Sequence, residues 1–303
     1  MAQLGKRELR GIYPIVPTPF DAEGNLDIES IATMTAFMCE RGVQGLAILG
    51  VMGEADKLTP GERTRVIEAF RAALPYDRKL VVGVGAPGTM AAIEGARRAL
   101  DLGADALLVA PPATQNDHAL YGYYEQIARA VDLPIVVHDY PASTGILMSA
   151  ELLARLSNDA GIGYVKLEDA PTGPKMARVQ ELTGSKLKIF GALGGQFALE
   201  ELERGAVGIM TGFAYPELLV RLFALHVADE PEEAAALFYG ILPLIRFEFQ
   251  PKLGVSLRKH ILVKRGAIKH ATVRHPGMSA DAVTLRQLDR VVAHLTRTGW
   301  LQG

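Results

Sequence analysis

Apolar residues gather in eight short runs, at 12–16, 46–49, 80–84, 106–110, 135–138, 164–167, 187–190 and 207–210. Runs of this length that are apolar nearly throughout suit strands covered on both faces. Between them apolar positions recur every three or four residues, as at Ile31, Met34, Phe37 and Met38 or Ala92, Ala96, Ala99 and Leu100. Glycines such as Gly42 and Gly103 close these segments, so each gap is expected to be a helix. Eight strand–helix alternations are what a (β/α)8 TIM barrel, an α/β fold, requires. An open doubly wound sheet is built from the same alternation, and glycines at strand ends (Gly50, Gly83, Gly85, Gly191, Gly212) do not separate the two. After Pro216 the strand pattern ends, and the rest reads as helices over 217–228, 232–249, 252–265 and 280–297. No low-complexity linker precedes this tail. The expected organisation is a barrel over 1–225 and a C-terminal helical extension, packed on it, over 226–303.

One run, in Gly163-Tyr164-Val165-Lys166-Leu167-Glu168, carries a lysine. An unpaired ammonium is costly to bury, so such a group tends to lose its proton, and a neutral amine in apolar surroundings is a nucleophile toward carbonyls. On a sixth barrel strand, alternation sends Val165 and Leu167 toward the helices and Tyr164, Lys166 and Glu168 inward. On the fifth strand Val136, His138 and Tyr140 share one parity. Barrel active sites gather at the carboxyl ends of strands, so Lys166, His138, Tyr140 and Glu168 are expected to converge there. Bland readings stand beside these. Lys166 suits a strand-end lysine reaching water, His138 a hydrogen-bonded core histidine, and Glu168 and Asp169 solvated or capping carboxylates ahead of Pro171-Thr172-Gly173-Pro174. A carboxylate beside the amine would stabilise the ammonium, so Glu168 is expected to point toward substrate or solvent.

Composition narrows the partners. Of 303 residues 49% are hydrophobic and 22% charged, which is ordinary globular usage. A formal net charge of -2, with no polybasic stretch, gives no reason to expect nucleic acid or a membrane surface, and leaves a small molecule as the expected partner. Cys39 is the only cysteine, which excludes a disulfide framework and cysteine zinc clusters; it reads as a core thiol in a reducing compartment. Residues 1–10 lack the apolar stretch of a signal peptide, and no run approaches the roughly 18 apolar residues of a membrane span. A cytoplasmic location is expected. The histidines other than His138 show no paired spacing, so no metal is expected. The glycine-rich loops 191–195 and 208–212 lie where many barrels hold phosphate, but neither contains an arginine or lysine.

Three segments together carry a family resemblance. Gly11-Ile12-Tyr13-Pro14-Ile15-Val16-Pro17-Thr18-Pro19-Phe20, Gly50-Val51-Met52-Gly53-Glu54 and the strand bearing Lys166 resemble the dihydrodipicolinate synthase / N-acetylneuraminate lyase superfamily, over about residues 10 to 295. The resemblance implies a barrel with a helical extension, a homotetramer or homodimer, and Schiff-base lyase chemistry on pyruvate or another 2-oxo acid without a cofactor. Lys166 matches the imine-forming lysine. The family's second-strand motif carries two hydroxyl residues that help hold the substrate carboxylate; Val51 and Met52 replace them, leaving the backbone of Gly50, Val51, Met52 and Gly53 as the expected donor. The family's proton-relaying tyrosine aligns with His138, a residue suited to acid–base work near neutral pH, with Tyr140 as a second candidate. Its aldehyde-binding arginine aligns with Ser143, and a further tyrosine aligns near Ala113.

These departures count against 4-hydroxy-tetrahydrodipicolinate synthase activity, which stays an alternative together with a non-catalytic 2-oxo acid-binding homologue. Residues 139–143, Lys166-Leu167-Glu168, 210–216 and the tail segments 243–245 to 264–266 look closer to the 2-keto-3-deoxy sugar acid dehydratases and aldolases. The expected site comprises Lys166, His138 and Tyr140 for chemistry, with Gly50, Val51, Met52, Gly53, Ser143, Glu168, Gly191 and Met210 around the substrate.

Overall fold

The computed structural model describes residues 8–301. Its strands are β1 (Gly11–Ile12), β2 (Gly45–Ile48), β3 (Lys79–Gly83), β4 (Ala106–Val109), β5 (Ile135–Asp139), β6 (Tyr164–Leu167), β7 (Lys188–Gly191) and β8 (Gly208–Ile209). From β2 to β8 each strand pairs in parallel with the next, and β8 pairs with β1. A parallel bridge between Ile15 and Ala47 joins the chain after β1 to β2. This closure is that of a (β/α)8 barrel and removes the open doubly wound alternative.

The helices are α1 (Ile28–Glu40), α2 (Pro60–Ala73), α3 (Thr89–Asp101), α4 (Asp117–Ala130), α5 (Pro141–Thr144), α6 (Ala150–Asn158), α7 (Thr172–Thr183), α8 (Ala198–Glu203), α9 (Pro216–Val227), α10 (Pro231–Glu248), α11 (Gly254–Lys264) and α12 (Ala282–Arg297). Their starts are written locally. Asp27, Asn116, Ser149 and Asp281 accept from backbone amides three residues on, and Thr59 with Glu62 forms a reciprocal capping box.

β6 has the bounds expected of it, whereas β1 and β8 are shorter than the runs 12–16 and 207–210. Beyond Ile12 the chain still bonds to β8, Tyr13 to the Ile209 carbonyl and Ile15 to that of Thr211, each at 3.0 Å, while on the β2 side Pro14 has no amide hydrogen to give. α9 packs on β1 and α8, so this first helix after Pro216 is the eighth helix of the barrel. α10, α11 and α12 follow, with α10 lying against α8, α9 and α12.

Strand alternation divides the core into two layers. Inside the barrel lie Tyr13, Ile15, Ala47, Val81, Leu108, Val136, Tyr164, Phe190 and Met210. Outside, Val137, Val165, Leu167 and Ile209 meet the helices. Of the tail aromatics, Phe238 is buried, Phe247 packs against the core, and Tyr239 is exposed. Among the described residues no helix is long and apolar enough to cross a membrane.

Candidate active site

Parallel register sets the first contact. His138 on β5 lies directly opposite Lys166 on β6, and both side chains point into the barrel because Val137, Val165 and Leu167 occupy the outward positions. Lys166 is 4% exposed, and His138 and Glu168 are each 5% exposed. His138 Nε2 stands 3.3 Å from Lys166 Nζ and 2.8 Å from Glu168 Oε2. The same Glu168 oxygen accepts a hydrogen bond from Lys166 Nζ. The other, Oε1, accepts from the Leu193 amide at 3.0 Å, in the turn that follows β7. Glu168 is therefore turned back onto the lysine. The expectation that it points away fails because that amide and both side chains converge on it, which offsets the desolvation of the carboxylate.

Burial holds the Lys166 amine well below the usual lysine range; among the surrounding charges Glu201 opposes this and Arg258 reinforces it. Glu168, in contact with the amine, also opposes it on physical grounds. Burial, with the Lys166 charge as the smaller cause, pushes His138 well below the ordinary imidazole value, so its ring is neutral near pH 7. Tyr140, at the start of α5, stacks on His138 with ring centres 5.8 Å apart, and Lys166 Nζ is 5.8 Å from the Tyr140 ring centre. Burial raises the Tyr140 phenol.

These groups line a cavity of about 450 Å3, counting its open mouth. Gly50, Val51 and Met52 form one wall, while Ile15, Leu108, Thr211 and Gly212 come from the ends of other strands. Gly194 and Phe249 also line it and pack against each other; Gly194 has φ of +68°, and a Cβ there would run into the Phe249 ring. Several expected substrate contacts lie elsewhere. Gly53 sits below the cavity wall, its amide bonded to the Gly50 carbonyl at 3.0 Å and its carbonyl accepting from Thr18 at 2.6 Å. Gly191 faces outward, where a Cβ would meet the Glu201 carboxylate, because Phe190 takes the inward position. Met210 belongs to the inner core layer rather than the cavity lining. Ser143 is exposed on α5 and does not line the cavity. Asp169 pairs at 2.8 Å with Lys175, which also lies 2.6 Å from Asp139.

The tail supplies groups that the strand-based reading missed. Arg258 on α11 lines the cavity, 4% exposed, and its Nε donates to Glu248 at 3.1 Å. Burial raises the Glu248 carboxyl to about 7. A signal for both existed. Leu257, Arg258, Ile261 and Leu262 form one helical stripe, and Ile241, Leu244, Ile245 and Glu248 form another, so each charge falls on an apolar face just as Lys166 falls in an apolar strand. Glu54, at the end of the Gly50 turn, is fully buried and takes Lys259 at 2.6 Å, fastening that turn to α11. Among the described residues no cluster of three or more His, Cys, Asp and Glu side chains is placed to hold a metal ion.

Comparison with known proteins agrees with this architecture. The model of the dihydrodipicolinate synthetase family matches residues 8–295. A 4-hydroxy-tetrahydrodipicolinate synthase of Methanothrix thermoacetophila is 30% identical over 79% of this chain and 82% of its own. An L-2-keto-3-deoxyarabonate dehydratase of Azospirillum brasilense is 30% identical over 88% of each chain. The crystal structure of a dihydrodipicolinate synthase from Rhodopseudomonas palustris superposes with a TM-score of 0.89 at 34% identity, covering 95% of this chain and 98% of that one. Named relatives thus include both a synthase and a sugar acid dehydratase. With its closed eight-stranded sheet and a family match running almost end to end, the chain belongs to the dihydrodipicolinate synthetase family and is a lyase.

Proposed function

We propose that the protein is a Schiff-base lyase that takes pyruvate or a 2-keto-3-deoxy sugar acid as an imine on Lys166. The observation that carries this reading is a buried amine, held well below the usual lysine range and lining a cavity beside a neutral histidine and a carboxylate. A free amine is required for attack, and burial favours it by lowering the pKa of Lys166. Glu168 and His138, both in reach of Nζ, give the proton somewhere to go without a change in the net charge of the group.

The amine adds to the C2 carbonyl and the carbinolamine loses water, leaving a protonated imine that serves as an electron sink. In a dehydratase, His138 removes a proton from C3, and the enamine expels the C4 hydroxyl, which leaves as water with that proton. In an aldolase, His138 takes the proton of the C4 hydroxyl while the C3–C4 bond breaks, releasing an aldehyde; C3 of the remaining enamine is then reprotonated. Water finally frees the product from Lys166. Glu168, 2.8 Å from His138 Nε2, stabilises the imidazolium that each route forms.

Incubation with pyruvate and borohydride, followed by intact mass and peptide mapping, tests the reading. A reduced pyruvyl adduct on Lys166, absent from Lys166→Met, is the expected result and leads to turnover assays with 2-keto-3-deoxy sugar acids. No adduct with pyruvate or larger 2-oxo acids overturns the imine in favour of a non-catalytic 2-oxo acid-binding protein. An adduct together with turnover of pyruvate plus aspartate semialdehyde assigns the synthase reaction instead.

A further inference from the structure

The Arg258 guanidinium is buried at the cavity and only partly satisfied. Nε donates to Glu248 at 3.1 Å, Nη1 approaches the Met52 sulfur at 2.9 Å, and Nη2 is buried without a hydrogen-bond partner. A thioether is a weak acceptor, so the end-on fork formed by Nη1 and Nη2 has no strong partner within the protein. Room is kept for it by Gly212 and Gly254, where a Cβ would come within 3.2 Å of Nη1. A guanidinium stays protonated even when buried, and a buried cation with unsatisfied donors, on a side chain that lines a cavity, calls for an anion there.

Position says which anion. Met52 belongs to the turn whose two hydroxyl positions hold Val51 and Met52, side chains that cannot bind a carboxylate, and whose Gly53 amide is already bonded within the turn. Arg258 reaches this turn from α11, and its charge also acts on Lys166 and Tyr140. A 2-oxo acid bound at Lys166 carries its carboxylate directly on the imine carbon.

We propose that Arg258 binds the carboxylate of the 2-oxo acid substrate through its Nη1–Nη2 fork, displacing the Met52 sulfur and replacing the absent hydroxyls of the Gly50–Gly53 turn. The assignment rests on the imine reading. It makes selectivity for acids over neutral ketones a property of the helical tail rather than of the second strand.

The experiment compares reductive trapping of pyruvate with that of its neutral methyl ester, reading the half-saturating concentration of each by adduct mass. Arg258→Gln leaves Glu248 buried without its cation, so the Arg258→Gln/Glu248→Gln pair is measured as well, with Glu248→Gln alone as control. Loss of a charge-assisted, two-point contact is expected to raise half-saturation for pyruvate by about tenfold to a hundredfold in both Arg258 variants. The ester is expected to stay within about twofold, and Glu248→Gln to keep most of the preference for pyruvate. Should Arg258→Gln not fold, the double variant alone decides. Equal changes for the two ketones, no change for either, or the full selective loss in Glu248→Gln alone would overturn the role of Arg258 while leaving the imine intact. A wild-type protein that traps neither ketone removes the imine reading itself.

Discussion

Replacing Glu168 by glutamine removes one negative charge from the Lys166 amine while keeping the side chain's shape and an oxygen for the Leu193 amide. Both side chains are only 5% exposed, so solvent screens the pair little. At about 4 Å and an effective dielectric of about 20, a carboxylate stabilises an ammonium by about 4 kcal/mol. In the variant that attraction is gone, leaving burial, with the smaller effects of Glu201 and Arg258, to act on Lys166. Because Lys166 already titrates below its ordinary value, losing the ion that opposes burial moves its deprotonation further toward acid. The rate of cyanoborohydride trapping with pyruvate, followed by intact mass from pH 5 to 9, reads this directly. The acid limb of the profile is expected to shift to lower pH in Glu168→Gln, with faster trapping than wild type at the acid end. Turnover is expected to fall by about a hundredfold or more at every pH, since His138 loses the carboxylate that stabilises its protonated form. An unmoved acid limb, or a shift toward alkaline pH, would refute the opposition between burial and Glu168 described for this site.

His138→Gln should keep imine trapping on Lys166 but lower turnover of the cognate acid by about 10²- to 10⁴-fold, and unchanged turnover would remove the histidine from proton transfer. Glu201, buried behind β7, has its carboxyl raised by desolvation from 4.5 to about 8. Its folded value lies above its unfolded one, so its contribution to stability is complete below about pH 4.5 and is lost as pH rises through about 8. Glu201→Gln should therefore unfold like wild type at pH 4.5 and more reluctantly at pH 8.5, by at most about 4–5 kcal/mol in denaturant titrations. A pH-independent difference would contradict that linkage.

The repeating strand and helix pattern, the parity that turns Lys166 and His138 inward and the bounds of β6 were all legible from sequence, because each depends on neighbours a few residues away. Side-chain alternation on a strand has a period of two regardless of what lies around it, and an ammonium inside an apolar run is anomalous on local grounds alone. Closure of the sheet was not local. It rests on β1 meeting β8 and on the Ile15–Ala47 bridge, contacts between residues far apart in the chain. The orientation of Glu168 likewise depended on the Leu193 amide delivered by the turn after β7 and on His138 delivered by β5. Its flanking residues alone favoured solvent. Arg258 and Glu248 carried a local sign, a charge on the apolar stripe of a helix, but nothing local said that α10 and α11 bring them to the mouth of the barrel. Periodicity states which face of an element is buried; only packing decides what that face is buried against, and here that decides which charges line the cavity.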